Sequence, residues 1–338
     1  MRHIYKYGVV AKKTDAHGAK NFVLTLQAPQ GLINGAKIRQ KFVAKVRIVY
    51  FCHRILNRLS FIMMTKLAER ISRIEIKSLW SGKKHIVWSL RPDVNVLSGK
   101  NGVGKSTILN RIIQQLRSAP PTGEIPGKPA VGVHIDFYPA DATSIRYDII
   151  RSFDRVLLDG QRLQSVTDEP ISTELDWQLY QLQRRYLDYQ VNVSNRMIAL
   201  LAEGSPEAHQ KAMAVSEDKR KFLDLVDRLF AETEKKIDRA CNELRFIQYD
   251  ETLSPYRLSS GEKQMLIILL TALTQDRKPC VFCMDEPEAS LHFEWQKDLI
   301  SMIRSLNPHA QIILTTHSPA VIMNGWNDAV TEVGDITE

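Results

Sequence analysis

The sequence predicts an α/β fold in which a parallel core sheet, buried on both faces, is interrupted by a helical insertion. Three observations predict it. Short apolar runs at Val94–Leu97, Val281–Met284 and Gln311–Thr316 have the composition of strands covered on both sides. A glycine-rich turn, Gly99-Lys100-Asn101-Gly102-Val103-Gly104-Lys105-Ser106, follows the first of these runs and opens a helix. From about residue 172 to 245 the pattern changes to apolar residues recurring at three or four positions.

At 338 residues the chain holds one large domain or two modest ones, and 44% hydrophobic with 25% charged residues is ordinary for a soluble globular protein. Cys52, Cys241, Cys280 and Cys283 form no disulfide framework. Cys280 and Cys283 are spaced like half a zinc site, but no second pair matches them and both sit on or beside an apolar strand. A reducing, cytoplasmic setting follows as the expectation. The net charge of +8 is unevenly spread: residues 1–62 hold 12 Lys or Arg against Asp15 alone, leaving 34 basic and 37 acidic residues beyond them. That basic leader lacks periodicity, and no run in it approaches the roughly 20 apolar residues of a membrane span. It reads as a basic arm for DNA or an anionic surface, as a presequence, or, the preferred reading, as sequence upstream of a true start at Met63 or Met64. The expected organisation is therefore a leader over 1–62 and a folded domain over 63–338.

Along the domain, Arg73–Leu79 alternates as a half-buried strand, Trp80–Lys83 turns, and His85–Leu90 returns as a second strand. After the glycine-rich turn, Thr107–Ile113 has the spacing of a helix with one apolar face. The glycines Gly99, Gly102 and Gly104, with Asn101 between them, let backbone amides converge on an anion, and the helix start behind them at Thr107 adds partial positive charge. Lys105 would reach the β- and γ-phosphates of a nucleotide, and the Ser106 hydroxyl would coordinate Mg²⁺. Residues 119–129 are punctuated by Pro and Gly and form a surface loop. Val131–Phe137 and Tyr147–Phe153 are further strands. Leu175, Leu179, Leu182, Tyr186, Tyr189, Val193, Met197 and Leu200 make a continuous apolar seam. After Gly204-Ser205-Pro206 a second helical stretch carries Phe222, Val226, Leu229, Ile237, Cys241 and Leu244, with Ser216 as its expected N-cap. The two pair as an antiparallel hairpin.

Leu258-Ser259-Ser260-Gly261-Glu262-Lys263-Gln264 then precedes a nearly all-apolar helix, Met265–Leu273, which must be buried on most of its circumference. Its Ser-Gly start presents a second set of amides to an anion. The strand Val281–Met284 ends in Asp285 and Glu286. Asp285 suits the Mg²⁺ shell, and Glu286 suits accepting a proton from, or orienting, an attacking water. Ser290-Leu291-His292 leads into another helix, and Gln311–Thr316 ends at His317, placed for the γ-phosphate and that water.

The order Gly99–Ser106 (Walker A), Leu258–Gln264 (signature), Val281–Glu286 (Walker B), Ser290–His292 (D-loop) and His317 resembles the ABC-type ATPase head. Within that class Leu-Ser-Ser-Gly-Glu-Lys-Gln, Asp-Glu-Pro-Glu-Ala-Ser-Leu-His and Thr-Thr-His-Ser-Pro resemble the RecF, SMC and OLD-type AAA-family ATPases, over roughly Ile71 to Met323. Transporter ATPases carry Leu-Ser-Gly-Gly-Gln and a Leu-Asp D-loop instead. The resemblance implies a P-loop fold with a mixed β-lobe beside the parallel sheet, and ATP with Mg²⁺ as cofactors. It implies a homodimer in which Ser259, Ser260, Gly261 and Glu262 of one copy close over ATP held by the other. It also implies slow hydrolysis, relayed to DNA or to a separate nuclease or toxin effector of the antiphage-defence kind, with no membrane partner. DNA clamping in repair and the ATP-binding subunit of a transporter are the alternatives. The chain departs from the family at the Q-loop, where no glutamine ends the strand after Walker A; Asp154 or Gln161 is the expected substitute. Trp80, Lys83 and Lys84 are the candidates for contacting adenine. Arg184-Arg185 and Lys219-Arg220-Lys221 are the candidate basic patches of the insert.

Overall fold

The computed structural model describes residues 10–14, 21–25, 66–80, 82–121, 126–152, 154–156 and 171–338. The chain divides into two units, Met1–Met63 and Met64–Glu338. In the first, β1 (Val10–Thr14) pairs antiparallel with β2 (Asn21–Thr25). The remainder of the leader, including the proposed start at Met63 or Met64, lies outside the described residues.

The second unit opens with β3 (Leu67–Ala68), β4 (Arg70–Leu79), β5 (Lys84–Ser89) and β6 (Val94–Ser98), followed by α1 (Lys105–Ser118). Next come β7 (Val133–Tyr138), β8 (Ser144–Ile145) and β9 (Tyr147–Ile150). Two long helices follow, α2 (Glu174–Ala202) and α3 (Ala208–Leu229), then a small antiparallel sheet of β10 (Lys236–Ile237), β11 (Phe246–Gln248) and β12 (Glu251–Leu253). The chain continues through α4 (Ser260–Thr274), β13 (Cys280–Asp285), α5 (Phe293–Leu306), β14 (Ala310–Thr315), α6 (Pro319–Met323) and β15 (Val330–Glu332).

The core is a five-stranded sheet in the order β15-β6-β14-β13-β9, parallel throughout. Successive side chains of a strand point to opposite faces, so an all-apolar strand serves two cores. Cys280, Phe282 and Met284, with Ile312 and Leu314, face the cluster built on α4 and the helical hairpin. Val281, Cys283 and Ile313 face the other cluster, where Ile108, Ile112 and Leu116 of α1 meet Ile74, Ile76, Ile86 and Trp88 of the β-lobe. Both cysteines are fully buried, and burial pushes the Cys283 thiol up to about 12. The lobe is an antiparallel sheet, β5-β4-β7, accompanied by a short parallel pair, β3 with β8.

Gln311 joins lobe to core. It is fully buried on β14, and its amide oxygen accepts from Ile71 N at 2.8 Å while its Nε2 donates to Ile71 O at 2.8 Å and Arg91 O at 2.7 Å.

The hairpin is the region where local signals mislead. The seam from Leu175 to Val193 lies on α2, opened by a capping box in which Thr173 and Asp176 bond each other's backbone N–H groups. The 29 residues of α2 span about 43 Å, and α3 packs back along it. The expected N-cap at Ser216 is corrected: Ser216 lies inside α3 and its hydroxyl donates to Met213 O. Helix α3 starts nine residues earlier than that cap implies because Ala208 and Ala212, small and easily overlooked as core residues, are buried against the hairpin. It also ends at Leu229, so Ile237 is in a strand and Cys241 and Leu244 are in a loop; the apolar spacing there belongs to the small sheet.

Replacing Gln311 with Leu removes two buried hydrogen bonds and one part-buried one, and leaves the Ile71 N–H and two carbonyls without that partner. We expect Q311L to lose about 3 kcal/mol or more of stability, at the 1–3 kcal/mol typical of each stranded buried group, measured by urea denaturation with Q311E as a comparison.

Candidate functional site

Parallel strands with right-handed crossovers bring their C-terminal ends to one edge, and the loops leaving those ends meet there. Here β6 delivers the Gly99–Ser106 loop, β13 delivers Asp285 and Glu286, and β14 delivers Thr315 and His317. They line a cleft of about 610 Å³ with Trp80, Asn101, Gly102, Gly104, Lys105, Ser106, Thr107, Glu286 and His317 on its walls.

Gly104 is the N-cap of α1 with φ 103° and supplies no capping side chain, so the first-turn amides are donors for an anion. That φ strains any side chain placed there. A Cβ there would lie 2.3 Å from the indole of Trp80, which packs on the loop with its own backbone in the left-handed region at φ 48°. Lys84 Nζ lies 5.3 Å from that ring. Lys105 is buried and turned back on its own loop, donating to Gly99 O at 2.8 Å and Lys100 O at 3.2 Å. Desolvation holds its ammonium below the usual lysine range, against the opposing pull of Glu286 and Asp285.

Ser106 Oγ donates to Asp285 Oδ1 at 3.0 Å, and Thr315 donates to the same oxygen. A hydroxyl and a carboxylate in contact are the hard oxygen pair that Mg²⁺ takes, so the residues present fit that ion. Glu286, at φ 46°, is held by its N–H to Thr315 O at 3.1 Å and Thr315 Oγ1 at 3.2 Å. Its Oε1 stands 3.4 Å from His317 Nε2.

The structure also brings in residues that motif reading passed over. Glu288, buried, accepts from the Thr316 hydroxyl and from His317 N at 3.2 Å, tying the loop after β13 to the loop after β14. Ser152 ends the segment after β9, where the expected Q-loop glutamine is missing, and its hydroxyl donates to Asp285 O at 2.8 Å. Gln264, fully buried on α4, approaches that hydroxyl with its Nε2 at 3.4 Å. Asp154 is exposed and absent from the cleft wall, and Gln161 lies outside the described residues. The pattern Asp-Glu-Pro-Glu offered a hint of Glu288 and Gln264 closes the Leu258–Gln264 motif, but nothing pointed to Ser152 or to its contact with Gln264.

Leu258–Gln264 forms a separate helix start, apart from the Gly99–Ser106 cleft. Ser259 caps α4, its hydroxyl accepting from Glu262 N at 3.3 Å, and Ser260 follows it exposed. Gly261 lets the helix touch the next loop: a Cβ there would sit 2.4 Å from Ser290 O. Glu262, expected as a nucleotide contact, has its side chain engaged elsewhere in this chain. Its buried carboxylate takes Ser259 N, Thr233 Oγ1 and Lys235 Nζ, all within this chain, and these bonds hold it below the usual carboxylate range against the desolvation of its site. No residue of Leu258–Gln264 is on the wall of the Walker A cleft.

A parallel sheet carrying a phosphate loop, an antiparallel lobe on one face and a helical lobe with its own Ser-Gly helix start on the other define an ABC-type P-loop ATPase head. The chain belongs to the family described as "AAA domain, putative AbiEii toxin, Type IV TA system", whose model matches residues 136–324, more than half of its length. No curated protein matches the chain. Among solved structures it is similar to an SMC head bound to the C-winged helix domain of ScpA, with 15% identity, TM-score 0.43, and 75% of this chain and 92% of that one covered. It is also similar to the SMC head domain from Thermotoga maritima, with 16% identity, TM-score 0.37 and coverage of 78% and 94%. A nucleotide-free ATP-binding cassette from an ABC transporter gives 16% identity, TM-score 0.38 and coverage of 75% and 85%. The family match and the topology stand without these looser likenesses. Among the described residues no helix is long and apolar enough to cross a membrane.

Gly104→Ala is expected to abolish nucleotide binding while the protein remains folded, read by titration with a fluorescent ATP analogue.

Proposed function

We propose that this chain binds ATP with Mg²⁺ and hydrolyses it slowly, two copies closing head to tail around two nucleotides. One observation carries the reading: the two candidate anion-binding helix starts of a single copy do not share a cleft. The Walker A wall holds Glu286 and His317 but nothing from Leu258–Gln264, while Ser260 is exposed at the start of α4. A nucleotide seated on the first is thus completed by the second from another copy.

Within the composite site, the amides of Asn101–Thr107 cradle the phosphates, and Lys105 exchanges the Gly99 and Lys100 carbonyls for phosphate oxygens. Ser106 and Asp285 would hold Mg²⁺, which when bound offsets phosphate charge. Glu286 orients the attacking water and receives its proton, and His317, within 3.4 Å of that carboxylate, fixes its position and faces the γ-phosphate. Trp80 offers its ring to the base. Ser260 and Gly261 of the second copy add a hydroxyl and amides on the far side.

The ATP-bound dimer then acts on a separate effector, of the toxin or nuclease kind; the family's description as a putative toxin of a Type IV system supports the defence setting and leaves the effector to be found. DNA is the weaker partner. Of the basic residues proposed for it, Arg185 is neutralised by Asp148, while Arg184 and Arg220 are exposed and Lys219 and Lys221 bond neutral oxygens; beyond residue 62 acids outnumber bases, 37 to 34. Affinity for DNA rests on free cations.

Glu286→Gln is expected to keep ATP bound, stop turnover and shift the solution mass from monomer to dimer only with ATP and Mg²⁺, measured by light scattering. A mass indifferent to ATP contradicts the composite site, and undiminished turnover contradicts the role of Glu286.

A further inference from the structure

Of the ion pairs among the described residues, two have both side chains almost wholly buried, and both converge on the first turn of α4. Lys235 Nζ lies 2.8 and 3.1 Å from the two oxygens of Glu262, the side chains 12% and 4% exposed. Lys263 Nζ lies 2.8 Å from Asp176 Oδ1, at 10% and 3%. Lys235 sits just past α3, and Asp176 in the first turn of α2, so the two roots of the helical insert grip consecutive residues, Glu262 and Lys263, with opposite polarity.

The same acids also build the helix caps. Asp176 Oδ2 accepts from Ser172 Oγ at 3.1 Å and Thr173 N at 3.2 Å, closing the start of α2. Glu262 Oε2 accepts from Ser259 N at 2.9 Å, closing the start of α4. The cap of the insert is therefore wired to the cap of the signature helix. A buried pair differs from the exposed pairs elsewhere on the insert, such as Arg239 with Asp224, because removing one partner strands a charge that water cannot reach.

We propose that Asp176 and Lys235 are positioning residues for the signature: through Lys263 and Glu262 they set how Ser260 and Gly261 are presented to the nucleotide of a second copy. Displacement of the α2–α3 hairpin is felt at those two residues first. The proposal rests on the composite site described above and assigns neither residue any contact with nucleotide.

The test uses the full chain with Glu286→Gln, comparing K235M, K235R and D176N by sedimentation equilibrium with ATP-Mg²⁺, and by ATP titration at concentrations where the protein is monomeric. K235M and D176N are expected to weaken the ATP-dependent dimer about tenfold or more, in the range of ordinary coupling between sites, with the monomer's ATP affinity unchanged. K235R is expected to restore the dimer. An unaltered dimer in both K235M and D176N overturns the proposal, as does a loss of ATP affinity in step with dimerisation. Should K235M fail to fold, D176N carries the same prediction through Lys263. If the E286Q parent itself ignores ATP, the composite site has failed. Hydrogen exchange of amides 259–263 in the monomer then decides the positioning role: faster exchange in the variants supports it and unchanged exchange overturns it.

Discussion

Asp285 Oδ1 accepts hydrogen bonds from Ser106 and Thr315, and through them a single carboxylate oxygen ties the ends of three neighbouring strands together. The order β6-β14-β13 makes this contact available, because Thr315 ends the strand between the other two. Thr315 then orients the next residue, Glu286, by accepting its N–H at 3.2 Å, and Asp285's own carbonyl receives Ser152 at 2.8 Å. The residues of the cleft leave strands buried on both faces and are cross-linked immediately beyond the sheet.

The signature lies outside that cleft but is linked to it within the same copy. Gln264 reaches Ser152, and Gly261 packs on the carbonyl of Ser290, in the loop that also carries Glu288 to Thr316 and His317. The signature helix is thus in contact, within one copy, with the loops that surround Asp285 and His317. Under the proposed head-to-tail dimer, these contacts would couple the two nucleotide sites.

What the sequence made legible was local. Gly99–Ser106, Leu258–Gln264 and Asp285–Glu286 carry their chemistry in adjacent residues, and the all-apolar strands announce a sheet covered on both sides. What it left illegible depends on partners far apart in the chain. Glu288 meets Thr316 across 28 residues and Gln264 meets Ser152 across 112, and no spacing rule connects them. Glu262 belonged to a motif and was read by that motif, whereas Lys235 and the Ser259 cap decide where its carboxylate goes. In α3 a strong local cap at Ser216 lost to the burial of Ala208 and Ala212, a tertiary effect that overrides propensity.

Complementation between two inactive variants tests the central claim, a site shared between copies, most directly. Lys105→Ala removes the phosphate lysine of one copy, and Ser260→Arg blocks the signature of the other. Each alone is expected to be inactive. Mixed, they form heterodimers in which one site unites the intact Walker A of the Ser260→Arg chain with the intact signature of the Lys105→Ala chain, and ATP turnover returns. A mixture as inactive as its components would contradict the account, since it would mean that each nucleotide is served by a single copy.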